Sequence, residues 1–129
     1  MKIKLAHVYV DNQDNALRFY TEVLGFTKKA DVSNGGYRWL TVVPSEDPEG
    51  VELQLASSTN PAGKAFQQAT FQQGQPAIQF FTDDIKADCD AIKAKGVALR
   101  MEPTDVTAST IAQLDDGCGN IVQITQLNW

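Results

Sequence analysis

Hydrophobic and polar positions alternate over residues 3–10, where Ile3, Leu5, His7 and Tyr9 share one face and Lys4, Ala6, Val8 and Val10 share the other. A period of two predicts a strand, and apolar residues on both faces suit a sheet with a helix on one side and a cavity on the other. The period then changes. Ala16, Leu17, Tyr20, Val23 and Leu24 recur at helical spacing, Asp11 or Asn12 can cap the start, and Gly25 ends the run near Leu24. Strands are predicted over residues 27–32, 37–43 and 51–56, separated by the Ser33-Asn34-Gly35-Gly36 turn and the SEDPEG loop. Residues 1–56 therefore read as βαβββ.

The same order returns. A strand over 76–82 precedes a helix over 84–95 that Gly96 closes, and strands follow over 97–101, 107–114 and 121–126, the last after the DDGCGN turn. His7 and Gln79 lie 72 positions apart and Glu52 and Gln123 lie 71 apart, so the two units have nearly equal length. Each unit has an apolar face that it cannot bury alone, which predicts that the two pack together and bring equivalent polar positions toward a shared pocket. Residues 57–75 form a polar connector with a short helix over 64–71, and the whole chain of 129 residues reads as one α+β domain.

Composition excludes several function classes. The chain is 43% hydrophobic and 21% charged, ordinary values for a globular protein, and no apolar run approaches the roughly 18 residues of a membrane span. After two lysines the chain enters strand pattern directly, unlike a signal peptide, so a cytoplasmic location is expected. A net charge of −5 opposes attraction to phosphate backbones and argues against nucleic acid as a partner. Cys89 and Cys118 lack CxxC or His spacing and read as reduced thiols, with Cys118 the one candidate for reactivity.

The pieces ALRFYTEVLGF (16–26), VELQL (51–55), TDDI with AIKAKGV, and DDGCGNIVQI together resemble the vicinal oxygen chelate superfamily, which contains glyoxalase I, extradiol dioxygenases, fosfomycin-resistance enzymes and bleomycin-resistance proteins. The resemblance covers almost the entire chain. It implies two βαβββ repeats forming cup-shaped mixed sheets. In metal-dependent members it also implies a divalent ion held by His, Glu or Gln from the first and last strand of each unit. Those positions fall here on Leu5, Glu52, Ala77 and Gln123, of which only Glu52 is a good ligand, because Leu and Ala offer no lone pair. A displaced set of His7, Glu52, Gln79 and Gln123 is the alternative, since His7 and Gln79 lie one strand repeat further on the same faces.

The candidate site residues each have a plain structural role as well. His7 is the only histidine and can be a hydrogen-bonded strand residue or an acid and orienting group. Glu52 interrupts an apolar strand face, where a carboxylate must be paired, ligated or partly solvated. Tyr9, Trp39 and Phe81 can stack on a flat ligand or pack as core and rim, while Gln79 and Gln123 can orient it. Arg38 and Arg100 suit surface ion pairs. Phe19 and Tyr20 are best explained by packing of the helix, and the DDGCGN run by a tight turn.

Three functions remain open on these residues. The leading one is a metal-free module that binds a small organic molecule, with the acidic balance suiting a cationic guest. The second is a metal-dependent lyase, isomerase or dioxygenase of the glyoxalase I type, disfavoured by Leu5 and Ala77. The third is a metal-free enzyme with Glu52 as base and His7 as its acid or orienting partner. The resemblance admits closure of the units within one chain or across a dimer, and open strand edges favour a homodimer.

Overall fold

The computed structural model describes residues 1–129 and contains two sheets of identical topology. In the first, β1 (Leu5–Val10) is an edge strand paired parallel with β4 (Glu52–Ser57), followed by β3 (Tyr37–Val43) and β2 (Thr27–Asn34). In the second, β5 (Pro76–Phe81) pairs parallel with β8 (Ile121–Leu127), followed by β7 (Ser109–Asp115) and β6 (Met101–Asp105). Each unit thus joins its first strand to its last, and the fold is α+β with two βαβββ units. No helix is long and apolar enough to cross a membrane.

The helices follow from their caps. Asn12 accepts from the Asn15 amide and starts α1 (Gln13–Arg18), which gives way to a π-helical turn over Phe19–Val23 where the pattern predicts continuous α-helix. Apolar spacing does not separate the two forms, because the wider turn still presents Tyr20 to the core, where it is fully buried. The chain leaves this turn through Gly25 at φ 83°, a conformation that disfavours side chains with a Cβ. Asn60 caps α2 (Pro61–Gln72), longer at both ends than the apolar spacing of the connector predicts, and Asp84 caps α3 (Ile85–Ala94). The sixth strand begins at Met101, four residues beyond the predicted start, leaving 97–100 outside any strand.

Alternation along the strands gives each sheet a core face and an open face. Val8, Val10, Leu40, Val42, Leu53 and Leu55 are buried on one side of the first sheet, and Ala112, Leu114, Val122 and Ile124 on one side of the second. With Tyr20, Ile85, Cys89 and Ile92 from the helices they form a single cluster that spans both units. Full burial of each large aliphatic side chain contributes about 1.5–3 kcal/mol before entropy is counted. The core is therefore shared between the two units.

Candidate functional site

The open face of the first sheet carries the first group of candidates. Strand register sets Leu5 beside Glu52 and His7 beside Gln54, and Thr41 beside Gln54 on the other flank. Glu52 is half-buried, and its Oε1 accepts a 2.7 Å hydrogen bond from the Thr41 hydroxyl, which satisfies a carboxylate on an otherwise apolar and amide-bearing face. His7 is exposed and stands edge-on to Tyr9, with ring centroids 5.2 Å apart. No hydrogen bond joins His7 to Glu52. Trp39 is half-buried beside the exposed Val32.

The open face of the second sheet carries an amide ladder. Gln113 Nε2 donates to Gln123 Oε1, and Gln123 Nε2 donates to Gln79 Oε1, each at 3.0 Å, while the Thr125 hydroxyl also donates to Gln79 at 3.3 Å. This chain of donors ends at the exposed Gln79, whose own NH₂ is free to meet a ligand acceptor. Phe81, one repeat further along β5, is 64% exposed. The structure therefore groups Gln79, Gln123 and Phe81 on one face and His7, Tyr9, Trp39 and Glu52 on another. No hydrogen bond links the two groups.

Between the units lies a buried polar junction that the sequence pattern hides inside a turn. Asp116 accepts from the Tyr20 hydroxyl at 2.8 Å, from Asn120 Nδ2 at 2.8 Å, and from the backbone amides of Cys118 and Asn120. Burial, then the Asp116 charge, push the Tyr20 hydroxyl well above its ordinary range. Cys118 is buried too, and burial followed by the Asp116 and Asp11 charges raises its thiol to about 12, which makes it inert rather than reactive. Burial likewise raises the Cys89 thiol.

The same junction closes the β1 edge. The outward carbonyl of Tyr9 receives Gln67 Nε2 at 2.9 Å and Asn120 Nδ2 at 2.7 Å, and Gln67 also donates to the Cys118 carbonyl at 2.8 Å. A Cβ placed on Gly63 of α2 would lie 2.6 Å from the Tyr9 ring, so α2 rests directly on that side chain. A lone Gln and Gly in a polar connector give no sequence signal of this role.

The equivalent β5 edge has α2 packed near Ala77 and is open at its Gln79–Phe81 end. Beside it lies a depression of about 940 Å³, floored by Phe26, Phe80, Ile92 and Ile124 and including Gln79 and Phe81. It also holds Glu46, Asp83, Asp84 and Asp88, which the sequence pattern assigns to a loop and the start of a helix. His7, Tyr9, Trp39, Glu52 and Gln123 lie outside it. Arg38 and Arg100 are engaged elsewhere, with Asp31 and Asp14, and with Asp115.

The donors do not fit the divalent ion of metal-dependent relatives. Leu5 stands where a ligand would face Glu52, one Glu52 oxygen is already taken by Thr41, and no three His, Cys, Asp or Glu side chains are grouped to hold an ion.

Paired βαβββ units with parallel first and last strands define a class, and the sequence agrees. The chain belongs to the Glyoxalase/Bleomycin resistance protein/Dioxygenase superfamily, whose family model matches residues 2–124. It is 46% identical over 126 residues to uncharacterized protein YurT of Bacillus subtilis (strain 168), covering 98% of this chain and 99% of that one. A probable lactoylglutathione lyase of Vibrio cholerae is 30% identical over 121 residues, 91% of this chain and 84% of the relative. Among solved structures, UcmS2 superposes with a TM-score of 0.83 at 28% identity, covering 97% of each chain. TnmS3, an antibiotic binding protein from Streptomyces sp. CB03234, superposes with a TM-score of 0.77 at 27% identity, covering 98% of this chain and 96% of that one.

Proposed function

We propose that this protein binds a small organic molecule against the open faces of its sheets without a catalytic metal. The observation that carries the reading is the make-up of the first open face, where Glu52 is the one carboxylate, already bonded by the Thr41 hydroxyl, and Leu5 occupies the facing ligand position. In this reading Tyr9, Trp39 and Phe81 supply apolar surface, and His7, Glu52, Gln79 and Gln123 orient the guest. The likeness to TnmS3 supports a binding role. Titration calorimetry against a panel of cationic amphipathic compounds is expected to find a guest with a Kd below about 1 mM, equivalent to about −4 kcal/mol. A panel with no saturable binder contradicts the reading.

The likeness to probable lactoylglutathione lyases favours a second reading, a lyase of the glyoxalase type. Incubation with nickel, zinc, manganese and iron separates the two. Stoichiometric retention of an ion that disappears in Glu52→Gln would replace the first reading by the second. Self-association belongs to the proposal as well, because Leu5, Val32 and Tyr37 leave 43%, 60% and 57% of their surface exposed on the first open face. A homodimer by sedimentation that Val32→Lys weakens is the expected outcome, and a monomer at all concentrations contradicts it.

A further inference from the structure

The two edge strands that begin the units are treated differently by the rest of the chain. α2 packs against both strands, but Gln67 and Asn120 bond the β1 backbone, whereas no side chain hydrogen-bonds to the β5 backbone and the depression of about 940 Å³ borders its Gln79–Phe81 end. Its volume lies at the upper end of the range of small-molecule sites, about 300–1,000 Å³. Its floor is aromatic and aliphatic: Phe26 and Phe80 pack with ring centroids 4.8 Å apart, and Phe81 projects with 64% of its surface exposed.

Its charge is one-sided. Glu46, Asp83, Asp84 and Asp88 all lie in the depression, and none has a Lys or Arg within salt-bridge distance, although seven ion pairs form elsewhere on the chain. Lys95 is the sole basic group there, and its ammonium donates at 3.3 Å to the Val23 carbonyl. Asp84 and Asp88 accept local hydrogen bonds, from the Ala87 amide and the Thr82 hydroxyl. Asp83 and Glu46 make no side-chain hydrogen bond at all.

We propose that the depression along β5 binds a cationic aromatic molecule, with Phe26, Phe80 and Phe81 receiving the ring system and the Asp83, Asp88 and Glu46 carboxylates receiving the positive charge. This goes beyond the proposed function, because, of the residues assigned there, the depression contains only Gln79 and Phe81. Aromatic faces attract cations through their quadrupole, and unpaired carboxylates at the rim add Coulombic complementarity, so the two features select one chemistry. Gln79 belongs to both the depression and the amide ladder, which places a hydrogen-bond donor at the junction with the second open face.

The test is fluorescence titration with rhodamine 6G, a cationic xanthene, against fluorescein, an anionic xanthene of similar size. Rhodamine 6G is expected to saturate and fluorescein not to bind. The double variant Asp83→Asn/Asp88→Asn is expected to weaken rhodamine binding about tenfold, a loss that raised salt reproduces in the parent. Phe81→Ser weakens it further at unchanged fold, and Asp105→Asn, a charge removed outside the depression, leaves it intact. Equal affinity in the parent and the double variant overturns the proposal while leaving small-molecule binding in place. Absence of saturable binding by either dye and by the calorimetric panel overturns both. Loss of dye binding as the chain self-associates assigns the depression to a second copy and overturns the proposal.

Discussion

β1 and β5 are equivalent strands of a duplicated unit, yet one is sealed and the other is open. The Tyr9 carbonyl on β1 collects two side-chain donors, and the Tyr9 ring lies under Gly63, while β5 borders a depression with an aromatic floor and an acidic rim. The connector helix exists once and packs against both first strands, on β1 at Tyr9 and on β5 near Ala77, so only the Gln79–Phe81 end of β5 is left beside the depression. The side-chain donors Gln67 and Asn120 thus close one of two similar edges, while the end of the other borders a cavity. Edge backbone left unpaired is a liability unless something occupies it, which gives the open edge a physical reason to hold a ligand.

The comparison breaks most severely at the junction. Asp116→Ala removes an acceptor of four hydrogen bonds and strands buried donors on Tyr20 and Asn120, so urea unfolding is expected to lose about 3–5 kcal/mol. A loss below 1 kcal/mol is incompatible with the junction described. Gly63→Val comes next, because its Cβ meets the Tyr9 ring at 2.6 Å; forcing α2 off β1 is expected to cost about 2–3 kcal/mol. Phe81→Ser on the open edge is the contrasting measurement. With 64% of its surface exposed, its removal should change stability by no more than about 0.5 kcal/mol. Equal penalties at the two edges would erase the asymmetry.

A smaller effect sharpens the same contrast. Gln67→Leu leaves the Tyr9 carbonyl only the Asn120 amide and the Cys118 carbonyl only the Asp11 backbone amide, and is expected to cost about 1–2 kcal/mol by thermal denaturation. Least in size but clear in sign is the pH response. Cys118 has a folded pKa of about 12 against an ordinary 9.0, so the folded state holds its proton more tightly than the unfolded chain does. Its contribution is complete below pH 9 and declines as the pH rises from there toward 12. Tyr20, raised from 10.0, adds a decline above pH 10. Cys118→Ala should flatten the first part of that slope in urea titrations at successive pH values. Stability that rises with alkaline pH contradicts both assignments.

Much of the fold was legible because strand and helix periods are local. Gly25, Gly96 and the alternation in 37–43 mark boundaries that any sheet of this kind needs, and Asn12 and Asp84 do cap their helices. The π-helical turn was not legible, since Tyr20 and Val23 keep the same inward face in either geometry. Alternation also allotted His7, Glu52, Gln79 and Gln123 to open faces, as the register sets them. What it could not give is which faces meet. Long-range placement of Gln67, Asp116 and the β5 depression depends on how α2 crosses the chain, and no periodicity encodes a crossing. Asp83 and Asp84 in TDDI read as an ordinary helix start, because capping explains one carboxylate and solvent the other.

The most direct test of the asymmetry is a map of amide chemical shifts in the ¹⁵N-labelled protein during titration with rhodamine 6G. Progressive, saturating changes at Gly25, Phe26, Thr82 and Asp83, with Gly63 and Gln67 unmoved, are the predicted result. Changes confined to Gly63, Gln67 and the end of β1, with none at Thr82 or Asp83, would contradict it.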